Sequence, residues 1–374
     1  MIGLSTTAQE ASLKNKTKKT TAAPQPSFQR CATSEGIRYR MQTDKDYFES
    51  FQRKLKHQDS QIPSAQRESR TAKLNNIVTI PVVVHIVLPN PSLVTDADVE
   101  YFINRLNLDF SGLNPDSTNA SDFYNVRGHS LIRFALAKRD PNGRSTNGIE
   151  RKTGNINIGF TEPQAIKSGS QGGINPWPHT QYYNIWIGTG SNGVLGIAPE
   201  IGPGTAATDG VSIDYRAFSN NTCYSASSFN LARTAVHEIG HNFGLYHIFE
   251  GQCADADFKQ ITSQNLSLPS NLLKDADDTP AQNGETSGCP TSSTSSGCTT
   301  SPNPPGKMYQ NFMDYTNDAC YSMFTKGQVE RMHYVLENFR PGYLTTQGHI
   351  PVSNAALDLS ASESVNPGGS EAVG

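Results

Sequence analysis

The densest apolar run in the chain, IVTIPVVVHIV at 77–87, is rich in β-branched residues and predicts a mostly buried strand. Residues 96–112, DADVEYFINRLNLDFSG, place Val99, Phe102, Ile103 and Leu106 at helical spacing behind an acidic first turn, which predicts a helix. LIRFALAKRD (131–140) alternates apolar and polar positions and ends in the turn DPNG; with YYNIWIG (182–188) and GVSIDYRAF (210–218) it predicts three more strands. NLARTAVHEIGHNFGL (230–245) reads as a helix with Gly244 near its end, and TKGQVERMHYVLENF (325–339) as a last helix. A short amphipathic helix is expected at 44–56, DKDYFESFQRKLK. The first 30 or so residues are polar and low in complexity, HQDSQIPSAQRESRTAKLNN (57–76) reads as an exposed linker, and 250–310 shows little regular pattern. After Pro341 the chain turns polar and Gly-rich. Early strands flanked by helices, with no internal repeat, predict an α+β (mixed α/β) class.

Composition narrows the picture. The 374 residues suffice for one large domain plus a smaller segment, and 35% hydrophobic content with 31 Gly and 22 Pro suits a loop-rich globular protein. A formal net charge of -3 gives no strong pull toward nucleic acid, so no nucleic-acid partner is expected. No apolar run approaches the roughly 18–20 residues needed to cross a bilayer, so no transmembrane segment is expected. The opening MIGLSTTAQEASLKNKTKK lacks the apolar core of a signal peptide. Five of the six cysteines (Cys223, Cys253, Cys289, Cys298, Cys320) nevertheless crowd into the loop-rich region 223–320, as in disulfide-stapled extracellular proteins. Spacing alone leaves their pairing open.

The chemistry concentrates in HEIGHNFGLYH, residues 237–247. Helical residues four apart share a face, so His237 and His241 aim two imidazoles at one point. Gly244 permits a left-handed exit from the helix, which can return His247 as a third ligand. Three protein ligands leave one tetrahedral position open, the mark of a catalytic zinc. Glu238 lies beside that position as a general base. The other histidines read as structural, His85 as a satisfied core residue of its strand.

HExxHxxGxxH is the zinc signature of the metzincin metallopeptidases, and NFMDYTNDACY (311–321) resembles the methionine-bearing turn of that clan, with Met313 as its methionine. More narrowly, IPVVVHIV, LNLDFSG, YYNIWIG, HEIGHNFGLYHIFEGQC, DTPAQ and NFMDYTNDAC occur in the order seen in the pappalysin family, over about residues 77–343. The resemblance implies a twisted sheet and zinc helix above an irregular, disulfide-tied lower part, with a substrate cleft between them. It implies His237, His241 and His247 as zinc ligands, Glu238 as base, and Tyr315 as stabiliser of the oxyanion. Two disulfides are implied, Cys253–Cys298 and Cys289–Cys320. Cys31, in QRCATSE, resembles a cysteine switch, whose thiolate occupies the open zinc position in a latent form; a Cys31–Cys223 disulfide or an unligated thiol is the alternative. Calcium is implied near LLKDADDTPAQ (272–282), with Asp275, Asp278 and Thr279 offering oxygen ligands, although an insertion before DTP departs from the family pattern. The resemblance implies the preference of close relatives for Arg or Lys just after the cleaved bond, and Asp318, ahead of Asp314, is the candidate acid of that pocket. Such an enzyme would remove its own pro-segment at Ser69–Arg70.

The expectation is thus a secreted zinc endopeptidase acting on proteins or peptides and made as a zymogen. An inhibitory pro-segment would span 1–69, the catalytic domain 70–345, and a tail 346–374. The alternatives are a catalytically silent binding module and a processing protease dedicated to one partner protein. The first would be expected to have lost the glutamate or a ligand, and all four residues are present.

Overall fold

In the computed structural model, residues 30–352 are described apart from 51–73, 254–277, 299–305 and short gaps at 48, 162–163, 201, 222, 224, 226–227, 251–252 and 292–294. The sheet is built on β1 (Val78–Leu88), whose residues from Ile80 onward are all buried. It stands second in the order β2-β1-β5-β7-β6, between β2 (Ile132–Leu136) and β5 (Tyr183–Gly190), with β7 (Val211–Asp214) and β6 (Gly196–Ile197) beyond. β2 and β3 (Ile149–Thr153) pair with successive halves of β1, and β4 (Asn157–Ile158) extends β5. All these pairings are parallel except β6 on β7, so the sheet ends in one short antiparallel edge strand. That edge lies next to the site.

Helix α1 (Thr33–Thr43) has no counterpart among the sequence expectations. The helix expected over 44–56 is broken off from it at Asp44; residues 45–47 and 49–50 are helical and 51–56 lie outside the described residues. α2 (Asp96–Ser111), the helix expected over 96–112, starts at a Thr95–Asp98 capping box and stops at left-handed Gly112. Val99, Phe102, Ile103 and Leu106 form its buried stripe against the sheet. α4 (Lys326–Phe339) likewise starts at a Thr325–Gln328 capping box. The strand expected over 131–140 is shorter, and that over 210–218 ends at Asp214, whose carboxylate accepts from the Arg216 amide and turns the chain. His85 is the satisfied core residue expected, with Glu150 and Asn184 oxygens at 2.7 and 2.9 Å and Trp186 stacked on it.

The described lower part is irregular and carries disulfides Cys253–Cys298 and Cys289–Cys320. Cys31 and Cys223 are not bonded to each other; Cys31 is buried and Cys223 exposed.

Candidate metal centre and its plug

Helix α3 (Arg233–Asn242) is buried along its whole length, although most of its residues are polar. Such burial is costly unless each polar group has a partner. Arg233 meets Asp109 and Asp116. Asn242 donates to the Gly202 carbonyl and Asp209. The α3 entrance is capped from outside: Ala232 is left-handed at φ 62°, and Asp318 Oδ2 accepts from the Leu231 and Arg233 amides at 2.8 and 3.3 Å. At its exit Gly244 adopts φ 93°, and the chain turns back as far as His247.

The result brings His237, His241 and His247 together with Nε2 atoms 3.0–3.1 Å apart. Their other nitrogens are placed separately. His237 Nδ1 lies 2.7 Å from the Phe312 carbonyl, His241 Nδ1 2.7 Å from the Leu245 carbonyl, and His247 Nδ1 3.1 Å from Glu250 Oε2. A carbonyl only accepts, so the proton sits on Nδ1 and leaves a lone pair on Nε2. Burial pushes His237 well below its ordinary pKa and His241 down to about 3, each lowered further by neighbouring histidines. Imidazoles converging their Nε2 atoms in this way are the donor set of a cation. Tetrahedral zinc with Zn–N bonds of about 2.0–2.1 Å would space the nitrogens about 3.3 Å apart.

Cys31 completes the set. Its Sγ lies 3.5 Å from His241 Nε2, and the four ligand atoms fall within 4.8 Å of one another. A zinc thiolate bond of about 2.3 Å predicts a sulfur–nitrogen edge near that value, about 3.5 Å. Burial and the Glu238 carboxylate push the thiol well above its ordinary pKa. Glu238 points into the same space: burial raises it to about 7, opposed by hydrogen bonds from Thr33 and Cys31. Gly196 on β6 makes room for it, since a Cβ there would lie 2.7 Å from Glu238 Cγ.

Met313 is buried beneath α3, where Gly240 allows its approach; a Cβ on Gly240 would lie 2.7 Å from Met313 Sδ. Tyr315 places its ring 4.8 Å from that of His247 and 5.7 Å from that of His237. Asp314, the second candidate for the specificity acid, is spent on the Thr286 and Tyr315 amides and on Gln282. Of the suggested calcium ligands, Asp275 lies outside the described residues. Asp278 Oδ2 accepts from the Gly327 amide at the start of α4, and its Oδ1 is buried without a hydrogen-bond partner among the described residues. Ser69 and Arg70 also lie outside the described residues.

Residues 30–34 cross the whole site. Arg30 Nη2 donates to Asp318 Oδ1 at 2.9 Å and Nη1 to the Thr316 carbonyl, with the guanidinium 4.2 Å from the Tyr321 ring centroid. The Ala32 amide donates to the Gly196 carbonyl of β6. Thr33 Oγ1 donates to Glu238 Oε2 at 2.8 Å and accepts from the Ala198 amide. Ser34 Oγ lies 3.2 Å from His247 Nδ1. Apart from Cys31, the sequence reading missed this contact set. An arginine beside the candidate switch cysteine, in a chain expected to favour basic residues, was the available signal.

Promirolysin of Tannerella forsythia is similar over nearly its whole length. A mutant promirolysin of Tannerella forsythia superposes with a TM-score of 0.67 at 32% identity, covering 84% of this chain and 96% of that one. The chain belongs to the pappalysin family of metallopeptidases. The family model described as pregnancy-associated plasma protein-A matches residues 172–337, which include the histidine cluster and the methionine turn. Mature mirolysin of the same organism, in complex with a cleaved peptide, superposes with a TM-score of 0.60 at 34% identity, covering 73% of this chain and all of that one. An extracellular metalloprotease of Pyricularia oryzae is 41% identical over 143 residues, 37% of this chain and 43% of that protein. The aligned stretch thus spans less than half of that curated relative.

Proposed function

We propose that this pappalysin is a secreted, zinc-dependent endopeptidase held latent by its own N-terminal segment and selective for Arg or Lys after the cleaved bond. The observation that carries the reading is the convergence of three buried imidazoles beside a buried glutamate, with residues 30–34 plugging the same space. His237, His241 and His247 would hold the zinc, with Cys31 as fourth ligand in the latent form. When bound, the ion supplies Lewis acidity that polarises a carbonyl and acidifies water. Glu238 takes and returns the proton, aided by a pKa that burial brings near neutrality. Tyr315 donates to the developing oxyanion. Met313 is an apolar floor.

Asp318 is the acid for a basic side chain, and Arg30 occupies it. In a substrate the basic residue follows the reacting carbonyl, whereas Arg30 precedes Cys31. The segment therefore crosses the site in the reverse sense and presents no correctly placed bond for cleavage. Its docking supports an inhibitory N-terminal segment; the reading takes 1–69 as pro-segment, 70–345 as catalytic domain, 346–374 as tail and Ser69–Arg70 as the bond removed on activation. The extracellular Pyricularia relative and the disulfides support secretion. A calcium ion completes the reading at 272–282, where Asp278 Oδ1, buried and without a hydrogen-bond partner among the described residues, offers an oxygen ligand.

The test is a time course of the purified full-length chain, with and without chelator, with mass spectrometry of every new terminus. Termini beginning with Arg or Lys, Arg70 among them, are expected. They should vanish with chelator and fall about 10²–10⁴-fold or more in rate with Glu238→Ala. A zinc-loaded chain that stays inert on denatured proteins even as Cys31→Ala would sink the reading in favour of a binding module.

A further inference from the structure

We propose that Glu250 is a positioning residue that fixes the metal ligand His247, an assignment that rests on the metal-centre reading above. The three histidines are not held alike. His237 and His241 project from α3, and their Nδ1 atoms meet main-chain carbonyls. His247 lies on the loop beyond the left-handed turn at Gly244, where no helix sets its direction. It is also the one ligand of the three whose second nitrogen faces a carboxylate, Glu250 Oε2 at 3.1 Å.

The Glu250 carboxylate is built into the site. Glu250 is 4% exposed and lies three residues beyond His247. The same oxygen lies 3.4 Å from the His247 amide, and the Glu250 amide donates to the His247 carbonyl at 3.2 Å, so the loop closes on itself around the ligand. The intervening Phe249 stacks on the His247 imidazole at 4.8 Å and 6°. Stacking sets the plane of the ring, and the carboxylate sets its rotation in that plane. A carboxylate on Nδ1 also holds the proton there, keeps the Nε2 lone pair toward the cluster and makes that nitrogen a stronger donor. Burying an anion is costly without a charged partner; a cation among the histidines would offset that cost. In the latent form Ser34 Oγ approaches the same Nδ1 at 3.2 Å, so departure of the plug leaves His247 to Glu250.

The assignment is tested on the full-length chain carrying Cys31→Ala and Glu238→Ala, which removes the competing thiol and prevents self-cleavage. Zinc affinity is measured by competition with a calibrated chelator, and apo stability by thermal unfolding, for this parent and for added Glu250→Ala or Glu250→Gln. Glu250→Ala is expected to weaken zinc binding about 10–100-fold, the usual cost of losing such a partner. Glu250→Gln, whose carbonyl oxygen still accepts from Nδ1, should recover part of that loss. The apo melting temperature should move little. Zinc affinity of Glu250→Ala within about twofold of the parent overturns the assignment. So does an affinity loss equal in both variants and accompanied by an equal fall in apo melting temperature, since that is general destabilisation. A parent that binds no zinc overturns the metal-centre reading itself.

Discussion

His237, His241 and His247 show that an imidazole is placed as much by its far nitrogen as by its near one. The repeat HExxHxxGxxH announced three imidazoles, but the carbonyls of Phe312 and Leu245 and the carboxylate of Glu250 choose the tautomer. Those partners sit in a distant turn or in the loop itself, with no spacing rule to reveal them. Tyr315 was legible through its place two residues after Met313, and its ring stands beside those of His237 and His247. Tyr315→Phe should lower kcat by about 10²-fold while zinc content and melting temperature hold, as expected for loss of one oxyanion donor. A kcat within a fewfold of wild type, measured on activated enzyme with a basic peptide substrate, would exclude that role.

At the scale of elements, α3 was expected over 230–245 and spans Arg233–Asn242. Its true ends depend on contacts invisible to local pattern. Asp318, 85 residues away from Arg233, caps the entrance, and left-handed Gly244 forces the exit. Asp318 therefore carries two duties, one oxygen for the helix and one for a basic side chain. Gly244→Ala should cost about 1–2 kcal/mol from the left-handed backbone alone. Crowding adds to this, because the new Cβ would meet Val335 Cγ2 at 2.8 Å. Denaturant unfolding gives the number; a neutral substitution would mean that the turn relaxes. β6 escaped sequence analysis because two residues carry no periodicity, yet its Gly196 both admits Glu238 and receives the Ala32 amide. Helix α1 was missed for a related reason. Its face is covered by the cleft it fills.

At the scale of the molecule, Arg340 ties the end of α4 to the end of α3. It donates to Asp209 through both Nη atoms at 2.8 Å and to Asn242 Oδ1 at 2.7 Å. Burial alone would raise Asp209, but Arg340 and hydrogen bonds from His179 and the Gly204 amide hold it well below the usual carboxylate range. A depressed folded pKa stabilises fully above the unfolded value of about 3.9 and is lost as pH falls below it. Stability should therefore decline on acidification below about pH 4, with a shallower slope in Asp209→Asn. Equal slopes in the two proteins, from urea unfolding at stepped pH, would refute this. The plug makes a second whole-chain prediction. Arg30→Ala removes a buried charged pair and should shorten the lag before self-processing by about tenfold or more. An unchanged lag would mean that the Arg30–Asp318 pair does not hold the plug in place.

What the sequence determined by itself was whatever is written in short spacings. It set the buried β1, the capped helices α2 and α4, the histidine triad with its glutamate, and the methionine turn. The strand and helices follow from periodicity and the triad from ligand intervals, each within about a dozen residues, and the methionine turn from its resemblance to the family's. The tertiary structure alone decided how Arg30, Cys31, Thr33 and Ser34 reach Asp318, the histidines and Glu238, across sequence gaps of 205–288 residues. It alone decided which oxygen faces each imidazole. Such contacts are made by packing between segments that share no local pattern, so their geometry exists only once the sheet, α3 and the plug have come together.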